Sequence, residues 1–402
     1  MPLRGERDVR RIMLLLVAIG CLSLGACGDS DDAGGGGGGG GGASGETKKI
    51  TIGWTPPDIT GVFKTATDYF EKAAQDAKPA GFDIEIVSRS PATHTAFADQ
   101  LGIVEDYISR NVDVIAISPA DTEAIKPAIK QANQAGIPVI MVNLLEEQKD
   151  IEVASYIGFD NAEAAKVSAY SMLDFYGGPG VLGAGEKVDV KPDDFLDLKW
   201  WEETYADADK SAIEAKGSII EGIAGTFFSQ ARLDGFNSVM EQYPGVQIQG
   251  KPIAADWNRE KGVKATENFM SRYPENELGF IWAASNEMGL GAIQALGNRK
   301  RLNDGGGEKE QPAGKTSVFT NDVTPESTDA IRDGKLIAET HHGFPEWGWF
   351  GTKVAAQLAC EQKPEEKIDI RPRTVYQGNA DKFYPQPALP EIDWDAIKQD
   401  CK

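Results

Sequence analysis

Val112-Asp113-Val114-Ile115-Ala116-Ile117 and Ile137-Pro138-Val139-Ile140-Met141-Val142 decide the fold class. Both runs are short, apolar and rich in β-branched residues, the signature of parallel strands covered on both faces. Around them the sequence takes a helical period. Phe63, Ala66, Phe70, Ala73 and Ala77 fall on one face, as do Phe97, Leu101, Val104 and Ile108. Gly136 and Gly177 stand where a helix from near Pro127 and one from Ala162 to Tyr176 should stop. The rhythm resumes in a second block, with strands expected at 218–222, 279–284 and 317–320 and helices at 229–242, 259–272 and 287–296. Alternation of this kind specifies doubly wound parallel sheets, and 402 residues suffice for two cores. Two stretches break it. Residues 183–211, rich in Asp, Glu and Trp, read as an insertion, and 303–314 as a glycine- and charge-rich loop; neither reads as core.

The first residues read as a processing signal. Arg4, Arg7, Arg10 and Arg11 precede an apolar run from Ile12 to Leu24, too short for a permanent membrane span. The run ends Leu24-Gly25-Ala26-Cys27, which resembles a bacterial lipobox with Cys27 as the lipidated thiol. The glycine run 34–42 that follows packs no core and suits a flexible tether. The expected product is an extracytoplasmic lipoprotein that touches a bacterial membrane through its anchor only. Cys21 leaves with the signal, so Cys360 and Cys401 remain and are expected to pair in an oxidising compartment. The formal net charge of -21 argues against a nucleic-acid partner, whose phosphates demand basic surface.

The order of segments resembles the periplasmic sugar-binding proteins of the ribose and galactose type, which serve ATP-driven (ABC-type) importers. The likeness runs from Ile50 to about Gln377. It is carried by Ile117-Ser118-Pro119-Ala120-Asp121, Ala135-Gly136-Ile137-Pro138, Ile157-Gly158-Phe159-Asp160-Asn161, Gly222-Ile223-Ala224-Gly225-Thr226, Ala231-Arg232-Leu233-Asp234-Gly235-Phe236, Ala255-Asp256-Trp257-Asn258, Ser285-Asn286-Glu287-Met288-Gly289, Thr324-Pro325 and Asp333-Gly334-Lys335-Leu336. The resemblance implies an α/β chain of two doubly wound parallel-sheet lobes joined by a three-strand hinge, the type I periplasmic binding protein fold. The implied division is signal peptide 1–27, tether 28–48, first lobe 49–159 plus 343–374, second lobe 160–342 plus 375–385 with the insertion 183–211, and C-terminal tail 386–402. The crossings then fall near Phe159, Gly343 and Thr374.

In open α/β sheets, ligands sit beyond the carboxyl ends of the strands. That rule selects Ser118, Asn143, Ser285, Asn286 and Asp322, which match the ligand positions of the family. By the same resemblance Arg232 grips hydroxyls, Trp257 and Phe63 cover the faces of a sugar ring, and Thr60 and His342 are further contacts. Such a set suits a polyol ring, whose hydroxyls need amide, carboxylate and guanidinium partners and whose C–H faces need aromatics. Ribose-type members carry an Asp-Arg pair where this chain has Asn143-Leu144, an asparagine in place of Thr60 and a glutamine in place of His342. A ligand other than ribose is therefore expected. The asparagine at 143 is also similar to the autoinducer-2 receptors of the same fold, which relay to a sensor kinase.

The sequence carries no pattern for an enzyme. His94, His341 and His342 lack metal-ligand spacing, and there is neither a G-x-S-x-G elbow nor a C-x-x-C pair. Gly314-Lys315-Thr316 precedes a strand where a phosphate-binding loop follows one. The acidic residues of the insertion, Asp193, Asp194, Asp197, Asp207 and Asp209, lack the glycine turn and terminal glutamate of a calcium loop. No metal and no cofactor are expected. The expected partners are a small sugar-like ligand and an ABC transporter permease, with the protein itself a monomer.

Overall fold

The computed structural model describes residues 47–401 except 184, 192–193, 306–310 and 386. The export signal, Cys27 and the glycine run lie outside the described residues. The first strands are β1 (Lys48–Thr55), β2 (Phe82–Ser88), β3 (Val114–Ile117), β4 (Val139–Val142) and β5 (Ser155–Gly158). The two runs that decided the fold class are β3 and β4, and every residue of both strands is buried, as covered parallel strands require. The second block supplies β6 (Ala215–Glu221), β7 (Val246–Ile248), β8 (Ile253–Ala254), β9 (Phe280–Ala283), β10 (Ser317–Asn321) and β11 (Ala338–His341), and the chain ends with β12 (Lys367–Asp369) and β13 (Arg373–Tyr376). Among the described residues the first sheet has the order β12-β5-β4-β3-β1-β2, all parallel. The second has the order β13-β11-β10-β9-β6-β7, with β8 also on β6 and only β13 antiparallel.

Helices cover both sheets: α1 (Gly61–Asp76), α2 (Phe97–Ser109) and α3 (Lys126–Gln134) on the first, then α4 (Asn161–Phe175), α5 (Leu198–Thr204), α6 (Phe227–Met240), α7 (Arg259–Arg272), α8 (Asn286–Asn298) and α9 (Pro325–Arg332) in the second lobe. Two more, α10 (Phe344–Ala359) and α11 (Trp394–Gln399), return to the first lobe. The return of α10 rests on close packing with α1. A Cβ at Gly348 would lie 2.2 Å from the carbonyl oxygen of Ala66, and one at Gly351 2.5 Å from the Phe70 ring. No described helix is long and apolar enough to cross a membrane.

Three passages join the lobes. The first runs from Gly158 to Asn161, the second from His341 to Phe344, and the third from Asp369 to Arg373, so that Thr374 already lies inside β13. Ile370 N–H donates to Gly158 O at 2.7 Å, tying the first passage to the third. Gly343, with φ 77°, has no room for a side chain, because its Cβ would lie 2.2 Å from Ile370 Cγ2.

Two sequence expectations are corrected. The buried stripe of α2 is Gln100, Val104 and Tyr107, while Leu101 and Ile108 are only partly covered. Gln100 is inside because its amide serves the ends of two strands, donating to Thr55 O and Ser118 O and accepting from Ala120 N. Residues 183–211 read as an insertion apart from the core, yet Leu196, Trp201 and Tyr205 are buried in the core of the second lobe.

The C-terminal tail closes on the first lobe. Trp394 and Ile397 join its core, Trp394 Nε1 donates to Asp76 Oδ2 at 2.8 Å, and Cys360 and Cys401 form a disulfide. The bridge spans 41 residues, a loop for which chain entropy gives about 3–4 kcal/mol. Urea denaturation of a Cys360→Ser/Cys401→Ser variant should show a loss of that size. A change below about 1 kcal/mol would mean that the bridge constrains little in the unfolded chain.

Candidate functional site

The carboxyl ends of both sheets face one another across a cleft of about 620 Å³, part of it open to solvent. From the first lobe come Thr60 and Phe63 at the start of α1 and Asn143 just beyond β4. The second lobe contributes Arg232 from α6, Trp257 after β8, Ser285 and Asn286 after β9, and Asp322 after β10. Asn143, Trp257 and Asp322 take positive φ values of 67°, 59° and 79°, backbone strain of the kind that clusters where side chains must be aimed. Trp257 packs against Gly222, where a Cβ would come within 2.0 Å of the indole.

Two of the residues selected from the sequence are absent from the cleft wall. Ser118 is fully buried behind Pro119 and Ala120, which line the cleft in its place. His342 is fully buried behind Asp322, with Nδ1 2.9 Å from Asp322 Oδ1, so it holds the carboxylate and does not face the opening. Asn286 lines the cleft, but its amide is committed to the protein: Nδ2 donates to Thr324 Oγ1 and Oδ1 accepts from Glu287 N.

The centre of the wall is a buried charge pair. Arg232 Nη1 donates to Asp322 Oδ1 at 3.2 Å and to Ala284 O at 2.5 Å, and Nε donates to Asn161 Oδ1 at 3.1 Å. The guanidinium lies 5.3 Å from the Trp257 ring centre. Burial pulls the Arg232 pKa down, and Asp322 opposes that shift. For Asp322, burial pushes upward but is outweighed by the Arg232 charge and the His342 hydrogen bond, leaving the carboxyl below its usual range. Burial, with Arg232 nearby, pushes His342 down to about 4 against the pull of Asp322. The imidazole is therefore neutral at pH 7, with Nδ1–H donating to Asp322. Beside this pair stand polar atoms without protein partners: Asn143 Oδ1 and Ser285 Oγ in the cleft, and Ser118 Oγ and Asn161 Nδ2 behind it. Buried polar atoms are normally satisfied, and of the unpartnered ones Asn143 Oδ1 and Ser285 Oγ belong to residues that line the cleft.

Sequence reasoning missed Asp58, His94, Phe228 and Phe344, all of which line the cleft. His94 Nε2 meets Asp58 Oδ2 at 2.5 Å, and Asp58 Oδ1 accepts from Thr60 N at 2.8 Å. His94 stands in the loop after β2 with no apolar run ending beside it, so nothing local marked it. Phe228 was accessible, because it precedes Arg232 by one helical turn on α6 and shares its face. Among the described residues no group of three or more His, Cys, Asp or Glu is placed to hold a metal ion.

Residues 52–363 match the model of the periplasmic binding protein domain. The ribose import binding protein of Escherichia coli K12 is 26% identical over 300 residues, covering 74% of this chain and 81% of that relative. The fructose import binding protein of Bifidobacterium longum is 27% identical over 373 residues, covering 92% and 95%. Of solved structures, an ABC transporter periplasmic solute binding protein from Actinobacillus succinogenes with bound D-allose superposes with a TM-score of 0.63 at 20% identity, covering 84% of this chain and 100% of the other. At that identity the likeness speaks for the fold alone.

The depressed pKa of His342 ties stability to pH. The folded chain keeps this imidazole neutral while the unfolded chain takes up a proton near 6.5, so acidification from 6.5 to about 4 favours unfolding. The contribution is about 3 kcal/mol. His342→Gln, which can still donate to Asp322, should flatten the stability curve between pH 7 and pH 4 by that order. Parallel curves from urea melts of the two proteins would refute the neutral buried imidazole.

Proposed function

The chain belongs to the periplasmic binding protein family, and from that premise we propose that it captures a sugar or sugar-like polyol in the cleft and hands it to an ABC-type importer. Its relatives are sugar-binding transport proteins and not enzymes. The observation that carries the reading is the pairing of a charge-balanced Arg232–Asp322 unit and the Trp257 face with the unpartnered Asn143 Oδ1 and Ser285 Oγ. Arg232 and Asp322 present oriented hydrogen-bonding groups to ring hydroxyls, Asn143 and Ser285 take further hydroxyls, and Trp257 and Phe63 cover the apolar faces. Ser118 and His342 support the wall from behind. Thr60 sits on its exposed edge, and Asn286 packs into the wall with its amide held by Thr324 and Glu287.

Capture works by closure. Groups from both lobes reach the guest together only when the lobes approach, so the guest favours the closed form by the difference in its contacts. Moving a balance from 1:99 to 99:1 requires about 5.5 kcal/mol, within reach of several hydrogen bonds and two aromatic contacts. The lipobox-like Cys27 and glycine run support a lipid anchor outside the cytoplasm, where a monomer on a tether can reach a permease in the same membrane. A receptor that signals to a sensor kinase would use the same closure, but the import proteins among the relatives favour delivery.

A thermal-shift screen of pentoses, hexoses, polyols, sugar acids and autoinducer-2 should return at least one sugar or polyol that raises the melting temperature. For that compound, calorimetry on Trp257→Ala should show affinity weakened ten- to a hundredfold, the loss of about 1.5–3 kcal/mol of ring contact. Arg232→Ala should lose at least as much. Stabilisation by none of the sugars or polyols, or unchanged affinity in both variants, would remove the cleft as a sugar site.

A further inference from the structure

The segment that broke the strand and helix rhythm grips the hinge. Phe195 lies between two guanidinium groups of the third passage, with the Arg371 carbon 4.5 Å and the Arg373 carbon 4.3 Å from its ring centre. Asp197 Oδ2 accepts from Arg371 Nη1 at 2.8 Å, while its Oδ1 caps α5 by accepting from Trp200 N at 3.1 Å. Leu196, held at φ 45°, turns its carbonyl to accept from Thr374 N at 3.1 Å. Trp201 Nε1 donates to Thr374 Oγ1 at 2.8 Å, and the same hydroxyl pairs with Ser171 of α4. The third passage is thus wrapped at its second-lobe end by residues 195–201, while its first-lobe end is held by the Ile370–Gly158 hydrogen bond.

Arg371 belongs to neither sheet. Any rotation about residues 370–372 swings its side chain relative to Phe195 and Asp197, which are fixed in the second lobe by α5 and the buried Leu196 and Trp201. The contacts therefore depend on the angle between lobes. In this structure the lobes meet across the cleft: Phe228 and Trp257 pack with the cluster around Leu144 and Ile117, and a Cβ at Gly61 would lie 3.2 Å from Glu287 Oε1. Arg371 is thus latched in the closed arrangement.

We propose that Phe195, Asp197 and Arg371 are positioning residues that hold the third hinge passage in its closed geometry and so set how much of the protein is poised to retain ligand. None of the three lines the cleft. Their effect on binding runs through the lobe angle.

The test is double electron–electron resonance on the ligand-free full chain. Spin labels are carried by ketone-bearing amino acids at the exposed positions Lys130 of α3 and Glu267 of α7, which leaves the cysteines untouched. Arg371→Gln and Phe195→Ala should at least double the population at longer separation, and Asp197→Asn, which keeps an oxygen to cap α5, should shift it the same way by less. Circular dichroism checks that each variant is folded. Arg371 is largely exposed, so its variant carries the test if Phe195→Ala fails to fold. Distance distributions of folded Arg371→Gln and Asp197→Asn that superimpose on the parent would overturn the proposal. For a sugar found to stabilise the parent, Arg371→Gln should raise the dissociation rate several-fold with association within about twofold, which loss of a structural contact remote from the hinge would not do. The distances need no ligand, so they stand or fall apart from the reading of the cleft as a sugar site.

Discussion

A guanidinium out of water sets the terms for the rest of the second lobe. Arg232 is buried, and the effective cost of desolvating such an ion is several kcal/mol unless its donors are used. Its partners come from the ends of different elements: Asn161 at the start of α4, Ala284 beyond β9 and Asp322 beyond β10. One side chain therefore fixes the relative placement of the carboxyl edge of the sheet and the helix that opens the lobe. Burial is the main cause of the neutral state of His342, and the nearby Arg232 charge adds to it, so the imidazole donates to the shared carboxylate as a neutral ring.

The network does not stop at the cleft. The His342 ring lies 4.0 Å from the Phe159 ring, and these residues belong to the second and first passages between the lobes. Gly343 follows His342 at once and touches Ile370 of the third. The wall of the cleft and the hinge are consequently one packed unit. A glycine at 343 is required both by its positive φ and by the lack of space for a Cβ.

How much of this could be read from residues alone follows from the range of each interaction. β3 and β4 were legible because burial on both faces leaves an unbroken apolar run, and the strand-end rule then reached Asn143, Ser285 and Asp322. Gln100 was hidden because a polar residue on a core face looks like an error until the strand-end carbonyls it serves are known. His94 was hidden by a loop that places it without any local pattern. The grip of residues 195–201 on the hinge was beyond reach for a different reason: Asp197 and Arg371 are 174 residues apart, and a stretch that reads as an insertion carries nothing that ties it to the hinge. Ser118 and His342 show the opposite failing. The rule locates the edge of the sheet correctly, but it does not distinguish a side chain that faces the cleft from one that supports the wall.

That distinction bears on the guest the cleft would suit. The charged groups in its wall are committed within the protein: Arg232 to Asp322, Asp58 to His94, and Glu287 to Arg259 across two hydrogen bonds. The buried atoms left over, Asn143 Oδ1 and Ser285 Oγ, are neutral. A carboxylate entering here would face Asp322, Asp58 and Glu287, with the central Arg232 charge already balanced by Asp322, and an ammonium would have to draw Asp322 away from Arg232. The first meets like charge in the wall, and the second breaks a buried pair without forming a better one. A neutral hydroxyl needs neither, since it can donate to Asn143 Oδ1 and share hydrogen bonds with Ser285 while the charge pair stays intact. On the reading of the cleft as a sugar site, selectivity for uncharged polyols over sugar acids then follows from the way the wall is stabilised, with no separate device to reject charge.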